Sequence, residues 1–135
     1  MEIETLNSEL NFSGRKTINT FSSSAFDLPA LIEMMKHSDT WSKGELNTLI
    51  LVKNPDEKVL LTAIHKGTEI NSFQEHDSVT FQILEGELRY STHNDSVILV
   101  KGQLLTIREK IKYRLIAGDE TVFLLTLLND NLKLA

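Results

Sequence analysis

Between positions 46 and 127 the chain is a succession of short β-branched and aliphatic runs cut by turn residues, and that rhythm restricts the fold more than any other feature. The runs are 46–52, 58–64, 79–84, 88–91, 96–100, 104–107, 113–116 and 121–127. Asn54-Pro55-Asp56, Glu85-Gly86, His93-Asn94-Asp95, Lys101-Gly102 and Gly118-Asp119 separate most of them. Such residues stop a strand for physical reasons: Gly reaches positive φ, Pro presets φ, and Asn or Asp bonds its own backbone. Turns roughly 6 to 12 residues apart leave no room for crossover helices, so the strands must pair antiparallel. Each sheet then has to bury one face against another sheet, which predicts an all-β sandwich or barrel over about 46–127. The first two runs, flanking Asn54-Pro55-Asp56, are expected to form a hairpin.

Upstream the pattern differs. Residues 1–24 are rich in Ser, Asn and Thr, end in Ser22-Ser23-Ser24, and read as an N-terminal arm or edge strand. From Asp27 onward, Leu28, Leu31, Ile32 and Met35 recur at helical spacing, with Asp27 placed to cap and Pro29 tolerated in a first turn. One short α-helix over about 28–37 is predicted, its apolar stripe covering the barrel exterior, closing a barrel end or meeting a partner chain. Residues 25–135 are expected to form a single domain, the size that 135 residues support around one core.

Charge and composition exclude several classes. With 14 basic and 19 acidic residues the formal charge is −5, and the basic residues are scattered, so no nucleic-acid partner is expected. Having no cysteine, the chain cannot use disulfides or thiolate metal sites. Met1-Glu2-Ile3-Glu4-Thr5 is acidic and lacks the basic and apolar regions of a signal peptide. No apolar run approaches the ~18 residues needed to cross a bilayer. The expectation is a soluble, cytoplasmic protein with no membrane partner.

The stretch from Gly67 to Gly86, containing Asn71-Ser72-Phe73-Gln74-Glu75-His76 and closing in Ile83-Leu84-Glu85-Gly86-Glu87-Leu88, resembles the first motif of the cupin family: a glycine, five residues, His-x-His, three or four residues, a glutamate, six residues, a glycine. The stretch from Gly102 to Ala117 resembles the second cupin motif in length. The resemblance is to small, single-domain, RmlC-like cupins, and it implies an antiparallel double-stranded β-helix, the jelly-roll barrel.

In a metal-binding cupin those motifs supply two histidines, a glutamate and a third histidine to one ion inside the barrel. Strict register sets these positions on Phe73, Glu75, Val79 and Tyr113. A phenyl ring and an isopropyl group cannot donate to a metal, so the resemblance comes with a degenerate site, and neither metal nor cofactor is expected. Phe73, Val79 and Tyr113 either fill the space an ion would take or line an apolar pocket in which Tyr113 offers one hydrogen bond. His76 lies one residue beyond the motif, and His65 stands just before Gly67; both are further candidates for the cavity. The remaining motif-two positions fall on Arg108, Lys110 and Ala117, the first two within the charged loop 108–112, which is expected to be solvated or to form a basic rim.

No glycine-rich phosphate loop, nucleophile elbow or His-Glu-x-x-His sequence is present. The sequence therefore points to a non-enzymatic cupin that binds a small ligand in the barrel or serves as a structural and interaction module. The resemblance adds an expected homodimer, formed through N-terminal strands. The main alternative is a metal-dependent dioxygenase or isomerase recruiting His65, His76 and Glu75 as an unusual ligand set. A third is a metal-free enzyme using Glu75 or Tyr113 as acid or base.

Overall fold

The computed structural model describes residues 10–11, 15–19, 24–44 and 46–129. These divide into two compact units with the boundary between Ser42 and Lys43. In the first unit, β1 (Leu10–Asn11), β2 (Arg15–Asn19) and β3 (Ser24–Phe26) form a three-stranded antiparallel sheet. The rest of the 1–24 segment, expected as an arm or edge strand, lies outside the described residues.

Helix α1 (Leu28–Lys36) starts where the sequence places it: Asp27 is extended, and its carboxylate accepts from Ala30 N–H at 3.2 Å. Leu31, Ile32 and Met35 are buried, as the apolar stripe requires. A second short helix, α2 (Asp39–Ser42), follows and was not expected. Ser38 begins it, its hydroxyl accepting from Trp41 N–H at 3.1 Å. One turn is too short to leave a periodic trace.

Among the described residues the second unit holds nine strands. They are β4 (Asn47–Lys53), β5 (Glu57–Ile64), β6 (Glu69–Phe73), β7 (Ser78–Glu85), β8 (Glu87–Ser91), β9 (Ser96–Val100), β10 (Leu104–Ile107), β11 (Lys112–Ala117) and β12 (Thr121–Leu128). One sheet has the order β10-β7-β12-β5-β4 and the other β6-β11-β8-β9, every pair antiparallel. Setting aside β4, which adds an edge, the eight strands β5 to β12 interleave two four-stranded sheets, which is the jelly-roll order. The all-β architecture expected from the sequence is thus observed. β6, absent from the eight apolar runs, carries mostly polar residues.

Local chemistry explains the turns. Asn54 Oδ1 accepts from Asp56 and Glu57 N–H at 3.0 and 2.9 Å, closing the β4–β5 hairpin. Gly86 takes φ 86° between β7 and β8, where a Cβ would collide with the Glu120 carbonyl oxygen and Thr121. Between the sheets lies one apolar core in which Phe81, Ile83, Leu88, Leu99, Leu115 and Phe123 are buried. Along each strand alternate residues enter that core, and this period of two decides which side chains reach the interior.

Candidate functional site

β6 and β11 form the wall that should carry the motif residues. Leu115 is a core residue, and its partner across the ladder is Ile70; the next inner pair is Tyr113 with Ser72. Even-numbered residues of β6 therefore face the other sheet, whereas Phe73 lies opposite Lys112 and Asn71 opposite Arg114 on the outer face. Phe73 is 50% exposed, so it does not fill the interior as expected. Glu75, of the same parity, is exposed as well, and its carbonyl accepts from Lys110 Nζ at 3.4 Å. The correction is a shift of one residue. Its cause lies in the preceding turn: Thr68 N–H bonds His65 C=O at 3.0 Å, and Ala117 N–H bonds Thr68 C=O at 3.0 Å. That link sets Thr68 beside the buried Ala117 and fixes the parity of the whole strand.

Gln74 takes the inner position and is only 2% exposed. Its amide is fully engaged. Nε2 donates to the carbonyls of His76 at 2.7 Å and Glu109 at 3.5 Å, while Oε1 accepts from His76 N–H at 2.7 Å. It thereby ties the β6–β7 turn to the β10–β11 loop, where its own N–H also reaches Ile111 C=O at 2.9 Å. Counting alternation outward from Ile70 would have singled it out.

Val79 is buried at 1% exposure and belongs to the apolar core, and Tyr113 lies half-buried at its border. The two histidines do not join them. His65 Nδ1 pairs with Glu120 Oε1 at 2.8 Å, and Lys66 N–H donates to the other oxygen of that carboxylate at 3.1 Å. His76 lines a groove of about 480 Å³ with Lys53, Lys58, Leu127 and Asn129. Since β6 runs between them, His65 and His76 stand at opposite ends of a five-residue strand, about 17 Å of extended chain. His65, His76 and Glu75 are not assembled into one ligand set. Among the described residues no group of three or more His, Asp or Glu side chains is placed to hold a metal ion.

The positions facing the interior at this end are Ser72, Gln74, Val79 and Tyr113. A hydroxyl, an amide already spent on the backbone, an isopropyl group and a phenol do not make a site for a divalent ion, which needs three or four converging donors. What the interior does offer is aromatic. Phe81 from β7 is wholly buried, and the rings of Tyr113, Phe123 and Tyr90 stand 5.8, 6.0 and 6.4 Å from it, Tyr113 edge-on at 76°. Tyr90 and Tyr113 are 5.7 Å apart at 35°. These separations fall within the favourable range for aromatic pairs.

Tyr90 is 8% exposed, yet its hydroxyl has no hydrogen-bond partner among the described residues; nor has that of Tyr113. Burial pushes the Tyr90 phenol above its ordinary value, and the nearby Tyr113, Glu109 and Asp95 push it the same way. Tyr90 was not among the residues expected at the site, although the inward alternation of Leu88 and Tyr90 in β8 marks it. Ser72 faces the inner side and is nonetheless exposed.

This interleaved pair of sheets, with its interior flanked by β6, β7, β8 and β11, is the cupin fold. Among solved structures, the chain is similar to the EutQ protein of Clostridium difficile, with a TM-score of 0.68 and 15% identity over 87% of this chain and 96% of that one. It is similar to the cupin domain of Schizosaccharomyces pombe Cnp3, with a TM-score of 0.65 and 15% identity over 88% of each chain. A cupin superfamily protein of Desulfitobacterium hafniense gives a TM-score of 0.59 and 17% identity over 64% of this chain and 79% of that one. At such identities the likeness is one of fold. No family model matches the sequence, and no curated protein does.

Proposed function

We propose that the chain is a non-catalytic cupin-fold module that holds a small uncharged ligand between its sheets, against Tyr90 and Tyr113. The observation that carries this reading is the Tyr90 hydroxyl, buried and without a protein partner among the described residues. Leaving such a group unpaired costs about 1 to 3 kcal/mol, which an acceptor atom on a ligand would offset. The raised pKa keeps the phenol protonated, so it acts as a donor, and the field of Glu109 and Asp95 disfavours an anion beside it. The ligand therefore brings a neutral carbonyl or ether oxygen and a flat apolar body that lies along the rings. It enters on the side where Ser72 is exposed.

The metal-enzyme reading has less support, because the interior positions offer no set of donors and the histidines face elsewhere. The test is a titration with acetophenone and related neutral aryl ketones, followed through the ring signals of the two tyrosines by NMR. Tyr90→Phe keeps the ring and deletes the donor, so it should weaken binding about tenfold, the worth of one net hydrogen bond. A ketone series without saturable change at either tyrosine would overturn the proposal. Near-stoichiometric iron, manganese, nickel or zinc in the purified protein, lost in His76→Ala, would establish the metal-dependent alternative instead.

A further inference from the structure

β9 is the outermost strand of its sheet: it pairs with β8 on one side, and no described strand pairs with the other. Antiparallel alternation decides which backbone groups face that open edge. Thr92 N–H bonds Asp95 C=O across the hairpin at 2.8 Å, so the odd-numbered residues of β9 exchange hydrogen bonds with β8 and the even-numbered ones face away. Val100 fits this: its N–H donates to Gln103 Oε1 at 2.9 Å, and its C=O accepts from Gln103 N–H at 2.9 Å. Ser96 and Ile98 have no such substitute among the described residues, where their backbone groups stay open. The side chains do not guard the edge either. Val97, Ile98 and Val100 are 39, 47 and 42% exposed, and Leu104, just past the β9–β10 turn, is 58% exposed. An apolar edge without proline or inward charge is a template for another strand.

The residues at its two ends specify which strand. Asp95 precedes β9 and Lys101 follows it; both are exposed, and neither forms an ion pair among the described residues. Antiparallel pairing of β9 with β9 of a second copy, centred on Ile98, sets Asp95 opposite Lys101 at both ends. It also sets Ile98 opposite itself, so that its open backbone groups meet their own copies, and Ser96 opposite Val100, whose outward groups Gln103 holds. Residues so opposed have Cβ atoms about 5 Å apart, within reach of an ion pair. A shift of one residue would set open groups against those already bonded to β8, and a parallel arrangement would bring Asp95 onto Asp95.

We propose that β9 is a self-association edge: two copies of this chain join their four-stranded sheets antiparallel along it, with Ile98 on the twofold axis and Asp95–Lys101 ion pairs at the ends. Only Val100 must adjust: its N–H gives up the Gln103 side chain for the Ser96 carbonyl of the second copy, and its C=O, which already accepts from Gln103 N–H, accepts from that copy's Ser96 N–H as well.

The experiment is sedimentation of the full chain over a concentration series, with native mass spectrometry to identify the species. The wild-type chain should dimerise reversibly. Asp95→Lys and Lys101→Asp should each raise the dissociation constant tenfold or more, because each sets like charges together at both ends. An equimolar mixture of the two variants should regain the wild-type affinity as a heterodimer, since one chain is then positive at both ends and the other negative. Both positions are exposed, so at a concentration low enough for the wild-type chain to be monomeric the variants should keep its thermal unfolding midpoint. Ile98→Pro, which removes the central N–H, should leave a monomer. A wild-type chain that stays monomeric overturns the proposal, as does a dimer whose two charge variants gain nothing from being mixed.

Discussion

The rings of Tyr90 and Tyr113 stand 5.7 Å apart at 35°, one carried by β8 and the other by β11, and the two hydroxyls find no protein partner among the described residues. These are the only two tyrosines of the chain. Two paired strands thus bring the whole phenol content of the protein to one end of the core, where a single spectroscopic signal reports it.

That signal gives the first prediction. The Tyr90 phenol is raised above 10.0, chiefly by burial, with Tyr113, Glu109 and Asp95 adding to it. A raised value means that the folded chain holds this proton at a pH where the unfolded chain has lost it. The stabilisation is fully present below the unfolded value near 10 and is lost as pH rises toward the folded one. An absorbance titration at the phenolate band should show a component above the ordinary tyrosine range, absent in Tyr90→Phe. Urea unfolding should show the wild-type chain losing more stability than Tyr90→Phe between mildly and strongly alkaline pH.

Gln74 gives the second. Its side chain makes two short bonds to the His76 backbone and a longer one to Glu109 C=O from a nearly sealed position. Gln74→Ala strands buried backbone groups, so it should cost about 2 kcal/mol. Glu75→Ala, on the exposed side, should cost less than about 0.5 kcal/mol. Chemical denaturation of the two variants checks the order, and equal losses would mean that the parity assigned to β6 is wrong.

The contrast shows what the sequence could reveal. Turns such as Asn54-Pro55-Asp56 work through bonds between neighbours, and strands such as β7 alternate within a few residues, so both are legible locally. The face that β6 presents is not local. It follows from Thr68 meeting Ala117, 49 positions along the chain, and a strand of mostly polar residues has no apolar stripe to announce its inner side. Motif spacing located this wall to within one residue, which is enough to name the strand and not enough to name the face. Tyr90 escaped for a different reason: it lies between the two motifs, and the ladder with β11 is what carries it to Tyr113.

Two glycines test the turn chemistry against each other. Gly86 and Gly102 both adopt positive φ, 86° and 89°, so a Cβ at either pays the left-handed penalty of about 1 to 2 kcal/mol. Their surroundings differ. At Gly102 nothing lies within 4 Å of the added atom, whereas at Gly86 the Glu120 carbonyl oxygen and Thr121 already occupy its place. Thr121 is fully buried there, its hydroxyl accepting from Glu87 N–H at 3.2 Å and standing within donating distance of two carbonyls, Asp119 C=O at 2.7 Å and Glu87 C=O at 2.9 Å, so it cannot step aside without breaking the β7–β8 connection. Gly102→Ala should therefore cost only the backbone term. Gly86→Ala should add an overpacking cost of about 1 to 3 kcal/mol and separate the two midpoints clearly in urea. Equal losses would mean that the approach of Glu120 and Thr121 to the β7–β8 turn is looser than the structure places it.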